Sequence, residues 1–178
     1  MKRLLISGSL LLVTLFLRTD LWAQGKERGT EVSANASQIF FELGGPGIIY
    51  SFNYDGRFGG YENGIGFRVG IGGAYWNGDG YIALPVQLNY LLGTNGKYFE
   101  IGAGVTYAPG LNLFGTDNNP DIPGNQYTNT YGTFTMGFRK QPLGKKGFTW
   151  RAAFSPIIGF SAGGSFLPFV GFSWGYRF

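Results

Sequence analysis

The sequence predicts an all-β fold, an antiparallel up-and-down transmembrane β-barrel, with eight strands as the favoured count. Three observations predict it. Large apolar residues alternate with small or polar ones at a period of two through almost the whole chain beyond residue 37. Aromatic residues make up 18% of the 178 residues and charged residues only 13%, about half the charged share of a soluble domain. Gly, Asn, Asp and Pro gather between the alternating stretches, where turns belong.

The chain opens with the basic Met1-Lys2-Arg3, an apolar run of 14 residues from Leu4 to Leu17, and Leu21-Trp22-Ala23 ending on a small residue. This is the pattern of a secretory signal peptide over residues 1–23, cleaved after Ala23. The run is shorter than the roughly 20 residues a membrane-spanning helix needs. Residues 24–37 are polar and read as a short exported tail, and 38–178 as the barrel. Losing Lys2, Arg3, Arg18 and Asp20 with the leader leaves 11 Lys/Arg against 9 Asp/Glu, a net charge of +2. So mild a charge gives no reason to expect a nucleic-acid partner. The chain has no Cys, which excludes disulfides, thiolate metal sites, cysteine nucleophiles and an N-terminal cysteine lipid anchor. It has no His either, which removes the commonest general base and metal ligand at neutral pH. Past the leader no apolar run is long enough for a membrane helix. An exported, charge-poor chain can still cross a bilayer with alternating strands of about ten residues closed into a barrel.

The segments follow in order. Ile39, Phe41 and Leu43 lie opposite Phe40, Glu42 and Gly44. Ile48, Tyr50, Phe52 and Tyr54 lie opposite Ser51, Asn53, Asp55 and Arg57. Ile65, Phe67, Val69 and Ile71 lie opposite four glycines and Arg68. Ile82, Leu84, Val86, Leu88 and Tyr90 lie opposite Ala83, Pro85, Gln87 and Asn89. Phe99, Ile101, Val105 and Tyr107 lie opposite Glu100, Gly102, Gly104 and Thr106. Phe134, Met136 and Phe138 lie opposite Thr133, Thr135, Gly137 and Arg139. Phe148, Trp150, Ala152 and Phe154 lie opposite Thr149, Arg151, Ala153 and Ser155. Val170, Phe172, Trp174, Tyr176 and Phe178 lie opposite Gly171, Ser173, Gly175 and Arg177.

Strand parity checks the count. Bacterial barrels have an even number of strands, short periplasmic turns and longer outer loops. With both termini periplasmic, the longest connection, 109–129, falls outside, and the short "GTNGK" and "QPLGKKG" fall on the periplasmic side. Gly44–Gly47 is the ambiguous point. Read as a kink in one long strand it leaves seven, with the C-terminus outside; read as a turn it gives the even eight.

A soluble sandwich also alternates, but its solvent face should be rich in Lys and Glu. Here the second face holds Gly, Ser, Thr, Asn and Ala with a few charges of both signs, which suits a narrow closed interior. The inward charges are Glu42, Asp55, Arg57, Arg68, Glu100, Arg139, Arg151 and Arg177. They read as a structural polar network in the lumen, with Gln87, Asn89 and Asn53 as hydrogen-bonding neighbours and Glu100–Arg139 and Asp55–Arg68 as adjacent-strand pairs. A selectivity or binding site in the lumen is the alternative. Tyr50, Tyr54, Tyr75, Trp76, Tyr90, Tyr98, Tyr107, Tyr127, Tyr131, Trp150, Trp174 and Tyr176 mostly sit near strand ends, where an interfacial girdle requires them.

A leader, eight alternating segments and an aromatic last strand ending on Phe178 together resemble the small outer-membrane β-barrel proteins, the OmpA/OmpX-like and porin-like barrels of double-membrane, Gram-negative bacteria. The resemblance covers residues 38–178 and rests on pattern. It implies an outer-membrane location, outer-membrane lipid as surroundings, and the barrel-assembly machinery as a partner. In that family the aromatic final strand is the assembly signal, and Phe172, Trp174, Tyr176 and Phe178 match it. The expectation is of a barrel without the C-terminal peptidoglycan-binding domain of full-length OmpA.

Other motifs lead nowhere. Glycine clusters such as "GIGG" lack the helix that a phosphate loop needs. Asp117–Asp121 lacks the glycine and closing glutamate of a calcium loop. Asn35–Ser37 fits a glycosylation triplet but reads as idle in a bacterial chain. Enzymatic barrels of the outer membrane use a Ser–His pair, and this chain has no His to activate a serine. The expected role is therefore non-enzymatic, structural, adhesive or narrow-pore, without cofactor or metal. The alternatives are a barrel that binds or transports a small hydrophobic ligand, hinted at by the inward parity of Phe40, Leu167 and Phe169, and a soluble exported lipocalin-like protein.

Overall fold

The computed structural model of the protein describes residues 37–178 except Gly60, 77–78, Gly110, Asn112, 115–128, Lys145 and 161–164. The proposed leader, the tail up to residue 36, the stretch Asp117–Asp121 and Tyr127 lie outside the described residues, as does the side chain of Trp76.

Eight staves run in sequence order: β1 (Gln38–Gly44), β2 (Tyr50–Arg57), β3 (Gly64–Trp76), β4 (Asp79–Thr94), β5 (Lys97–Tyr107), β6 (Thr130–Lys140), β7 (Gly147–Phe154, resumed at Ile157–Gly159) and β8 (Ser165–Leu167, resumed at Val170–Arg177). The interruptions in β7 and β8 fall at Pro156 and Pro168, which have no N–H for the ladder. Neither shifts the register. Phe154 opposite Met136 and Ile157 opposite Thr133 belong to one alignment with β6, and Ser155 N–H donates to Phe169 O at 2.7 Å across the gap. Each stave pairs antiparallel with the next, and β1 pairs with β8, Phe41 opposite Trp174, so the sheet closes on itself.

The stagger of the ring can be read from its partners. From Arg177 they run through Gln38, Asp55, Arg68, Gln87, Gly104, Thr133 and Ile157 to Leu167, back on β8. The return point is 177 − 167 = 10 residues from the start. At about 3.3 Å rise and 4.8 Å strand spacing, this stagger tilts the staves by roughly 40°. Every residue on that path is buried or half-buried, because all share the inward parity.

Gly44–Gly47 is a turn, which fixes the count at eight: Leu43 lies opposite Tyr50, and the 3-10 turn Gly45–Gly47 joins β1 to β2. It folds into the barrel mouth. Gly45, Pro46 and Gly47 are buried, and Thr106 Oγ1 on β5 donates to Pro46 O at 2.7 Å. The sequence places Ile48 on the outer face with Tyr50; the structure buries it in the lumen instead. The 3-10 turn breaks the period of two, and Ile48 takes φ +74° and ψ −85°, a costly conformation for a β-branched residue. Its side chain is held in an apolar cluster with Ala83, Ala108, Tyr131 and Ile157, against which Leu111, Phe114, Leu167 and Phe169 pack. This cluster fills the end of the barrel that carries the connections after β1, β3, β5 and β7. At the opposite end, the terminal end, where Ser37 and Phe178 lie side by side, β4 turns into β5 through Asn95 and Gly96, with φ +57° and +74°, as a two-residue type I′ hairpin demands.

Between its ends the outer surface of the staves is apolar; at one end Lys97 and Lys140, opposite each other on β5 and β6, also face out. Ile71, Leu88, Phe148 and Val170 are 57%, 56%, 64% and 72% exposed, while the inward Arg68 and Glu100 are 0% exposed. This reverses the arrangement of a water-soluble domain, whose charges face out. Tyr50, Tyr75 and Tyr107 point outward near the loop end, and Tyr90 and Tyr176 near the terminal end. Two residues expected in this girdle do not join it: Tyr98 and Tyr131 have inward parity and are buried.

Candidate functional site: a charged lumen

All eight staves contribute to the polar interior, and the side chains they supply arrive there through strand parity. Asp55 on β2 is the first centre. Its carboxylate accepts from Arg57 Nη2 at 2.6 Å, from Arg139 Nη1 and Nη2 at 2.9 and 3.0 Å, and from Asn89 Nδ2 at 2.7 Å. Glu100 on β5 is the second. It accepts from Arg139 Nε at 2.8 Å, from Arg151 Nη1 at 3.0 Å, and from Arg68 Nη2. Arg139 on β6 thus bridges both carboxylates, one edge of its planar fork on each. Arg151 on β7 reaches on to Glu42 on β1. Two guanidinium groups also lie over Phe40, the Cζ atoms of Arg68 and Arg151 each 5.1 Å from its ring centre, a cation–π contact from each.

Neutral side chains add further hydrogen bonds. Gln87 Oε1 accepts from Arg68 Nη1 at 3.1 Å, and Gln87 Nε2 donates to Thr133 Oγ1 at 3.0 Å. Asn53 donates to Ser51 at 2.8 Å. Glycine makes the room for these groups: a Cβ on Gly104 would stand 2.0 Å from Val86 O and 2.6 Å from Gln87 Cα.

The eight charges singled out in the sequence therefore divide. Glu42, Asp55, Arg57, Arg68, Glu100, Arg139 and Arg151 form one connected network. Arg177 belongs to a second cluster at the terminal end, where its Nη1 donates to Glu62 Oε1 at 2.6 Å. The Glu62 carboxylate also accepts from Tyr98 OH at 3.2 Å and from the Gly144 N–H. Glu62 escapes sequence reasoning because it sits in the β2–β3 connection, where parity has no meaning. Of the two expected pairs, Glu100–Arg139 is tight at 2.7 Å, whereas Asp55–Arg68 spans 3.9 Å because Arg139 and Arg57 occupy the Asp55 oxygens. Phe172, Trp174, Tyr176 and Phe178 all project outward from β8. Trp174 packs on Phe41 with ring centres 5.3 Å apart, directly over the seam where the first and last staves meet.

Fold and interior together define a class: a closed antiparallel barrel of eight staves, apolar outside and filled with paired charges inside. The N-terminal β-barrel domain of Pseudomonas aeruginosa OprF, known from a crystal structure, has the same fold. It aligns with a TM-score of 0.53 over 81% of this chain and 96% of that domain, at 16% sequence identity. No protein-family model matches the chain, and no curated protein sequence matches it. The resemblance drawn from the sequence is thereby met at the level of fold.

Proposed function

We propose that the chain is an integral outer-membrane barrel without enzymatic activity, which anchors the connections at its loop end in a structural or adhesive role. The observation that carries this reading is the inversion of polarity, with apolar residues exposed along every stave and arginines and carboxylates buried inside. Lipid is the surrounding that such an exterior suits. Three layers across the lumen favour an anchor over a pore: the apolar cluster with its inward turn, the arginine–carboxylate network, and the Glu62–Arg177 cluster. Phe40, Leu167 and Phe169, considered as lining for a hydrophobic ligand, are engaged by guanidinium groups and by the apolar cluster. The aromatic face of β8 reads as the assembly signal, and the barrel-assembly machinery as its partner.

The deciding experiment is membrane fractionation followed by electrophoresis with and without boiling. Extraction that requires detergent, with a mobility shift on boiling, is the expected result. Release into buffer without a shift would overturn the membrane reading in favour of a soluble carrier.

A further inference from the structure

The network does not balance. Its side chains are at most 3% exposed, and four arginines (57, 68, 139 and 151) face three carboxylates (42, 55 and 100). An uncompensated charge in a sealed interior is expensive, so such a charge acquires a partner or loses its ionisation. Arginine does not give up its proton.

One small cavity opens on two of these arginines. It measures about 10 Å³ and is lined by Gln38, Phe40, Arg139, Thr149, Arg151 and Ser173, together with Trp150. By this measure roughly 10–15 Å³ accommodates one water-sized particle. No carboxylate lines it. Two of its polar walls are buried and unpartnered: Arg151 is 2% exposed with no acceptor for its Nε–H, and Gln38 is 4% exposed with no donor for its Oε1. Turning the Gln38 carboxamide over exchanges that acceptor for an N–H₂ donor of the same outline. Thr149 and Ser173 can each turn a hydroxyl proton inward. The polar side chains of the lining can then all present donors, two guanidinium groups among them.

We propose that this cavity is a binding site for a single monatomic anion of the halide class, with chloride as the physiological occupant. A bound chloride brings the network to neutrality and accepts from Arg151 Nε. Water fits the space, but it is neutral and leaves the excess charge in place. The inference is independent of the membrane reading, since it rests only on the interior.

The test uses the full-length protein purified in detergent and crystallised in sodium bromide, with data collected at the bromine edge. One anomalous peak in the cavity, in contact with Arg151 Nε, is expected. The thermal midpoint of the compact, unboiled form should also rise by a few degrees in chloride relative to gluconate at equal ionic strength, because a ligand that binds only the folded state stabilises it. Gln38→Glu supplies a fixed negative charge at the same place. That variant should lose both the peak and the chloride dependence while keeping the heat-modifiable form. An ordered water with no anomalous signal, or a midpoint indifferent to halide, would overturn the proposal. A protein released without detergent would overturn the membrane reading and leave this result standing.

Discussion

Glu100 is the residue on which the interior most depends. Three arginines from three different staves end on its carboxylate. Removing its charge leaves Arg68 with only the 3.9 Å approach to Asp55 and takes one of two carboxylates from Arg139 and from Arg151, and breaking a buried pair in this way costs about 3–5 kcal/mol. Glu100→Gln should therefore lower the urea midpoint of the unboiled, compact form by a corresponding amount; a loss under about 1 kcal/mol would mean that water reaches the network. Gly104 is as constrained by space as Glu100 is by charge. Its missing Cβ would meet backbone atoms, Val86 O at 2.0 Å and Gln87 Cα at 2.6 Å, and backbone cannot swing aside as a side-chain tip can. Gly104→Ala should reduce the yield of folded barrel on refolding, whereas alanine at Gly64, with nothing within 4 Å, should cost much less despite its φ of +86°.

The last stave joins two roles. Phe172, Trp174, Tyr176 and Phe178 cover the seam against β1, and they also match the assembly signal of the family the sequence resembles. Tyr176→Ser with Phe178→Ser separates the roles. A several-fold fall in outer-membrane level in cells, with undiminished refolding in detergent, is expected if recognition dominates; equal losses in both would assign these rings to packing alone. Much of this element level is legible in the sequence, because a period of two sorts inward from outward residues without any knowledge of neighbours. That is why the inward charges and the outward rings can be named in advance. It fails where the period stops: Ile48 follows a 3-10 turn and lands inside, and Glu62 stands in a connection. Partner choice is also illegible. Asp55 takes Arg139, 84 positions away on a stave that is not its neighbour, because closure brings opposite walls of the narrow lumen within reach of a long side chain.

At the scale of the molecule, the exterior separates lipid from water as its solvent. Leu88 stands in the middle of β4, outward and 56% exposed. In water Leu88→Arg would alter stability by no more than about 0.5 kcal/mol. Near the midplane of a bilayer it should cost roughly 2–4 kcal/mol. Folding titrations of the variant in lipid vesicles and in detergent micelles measure the difference, and an unchanged midpoint in vesicles would sink the transmembrane reading. The ten-residue return of the ring from Arg177 to Leu167 carries a further consequence. An open sheet can tolerate a sliding strand at its edge, but this one has no edge. A slip of one residue in any stave would send that stave's inward side chains outward, and a slip of two would change the girth and pull that stave's inward side chains off their partners. Closure thus acts as a checksum on the register: the last strand can dock on the first only if every pairing before it was made correctly.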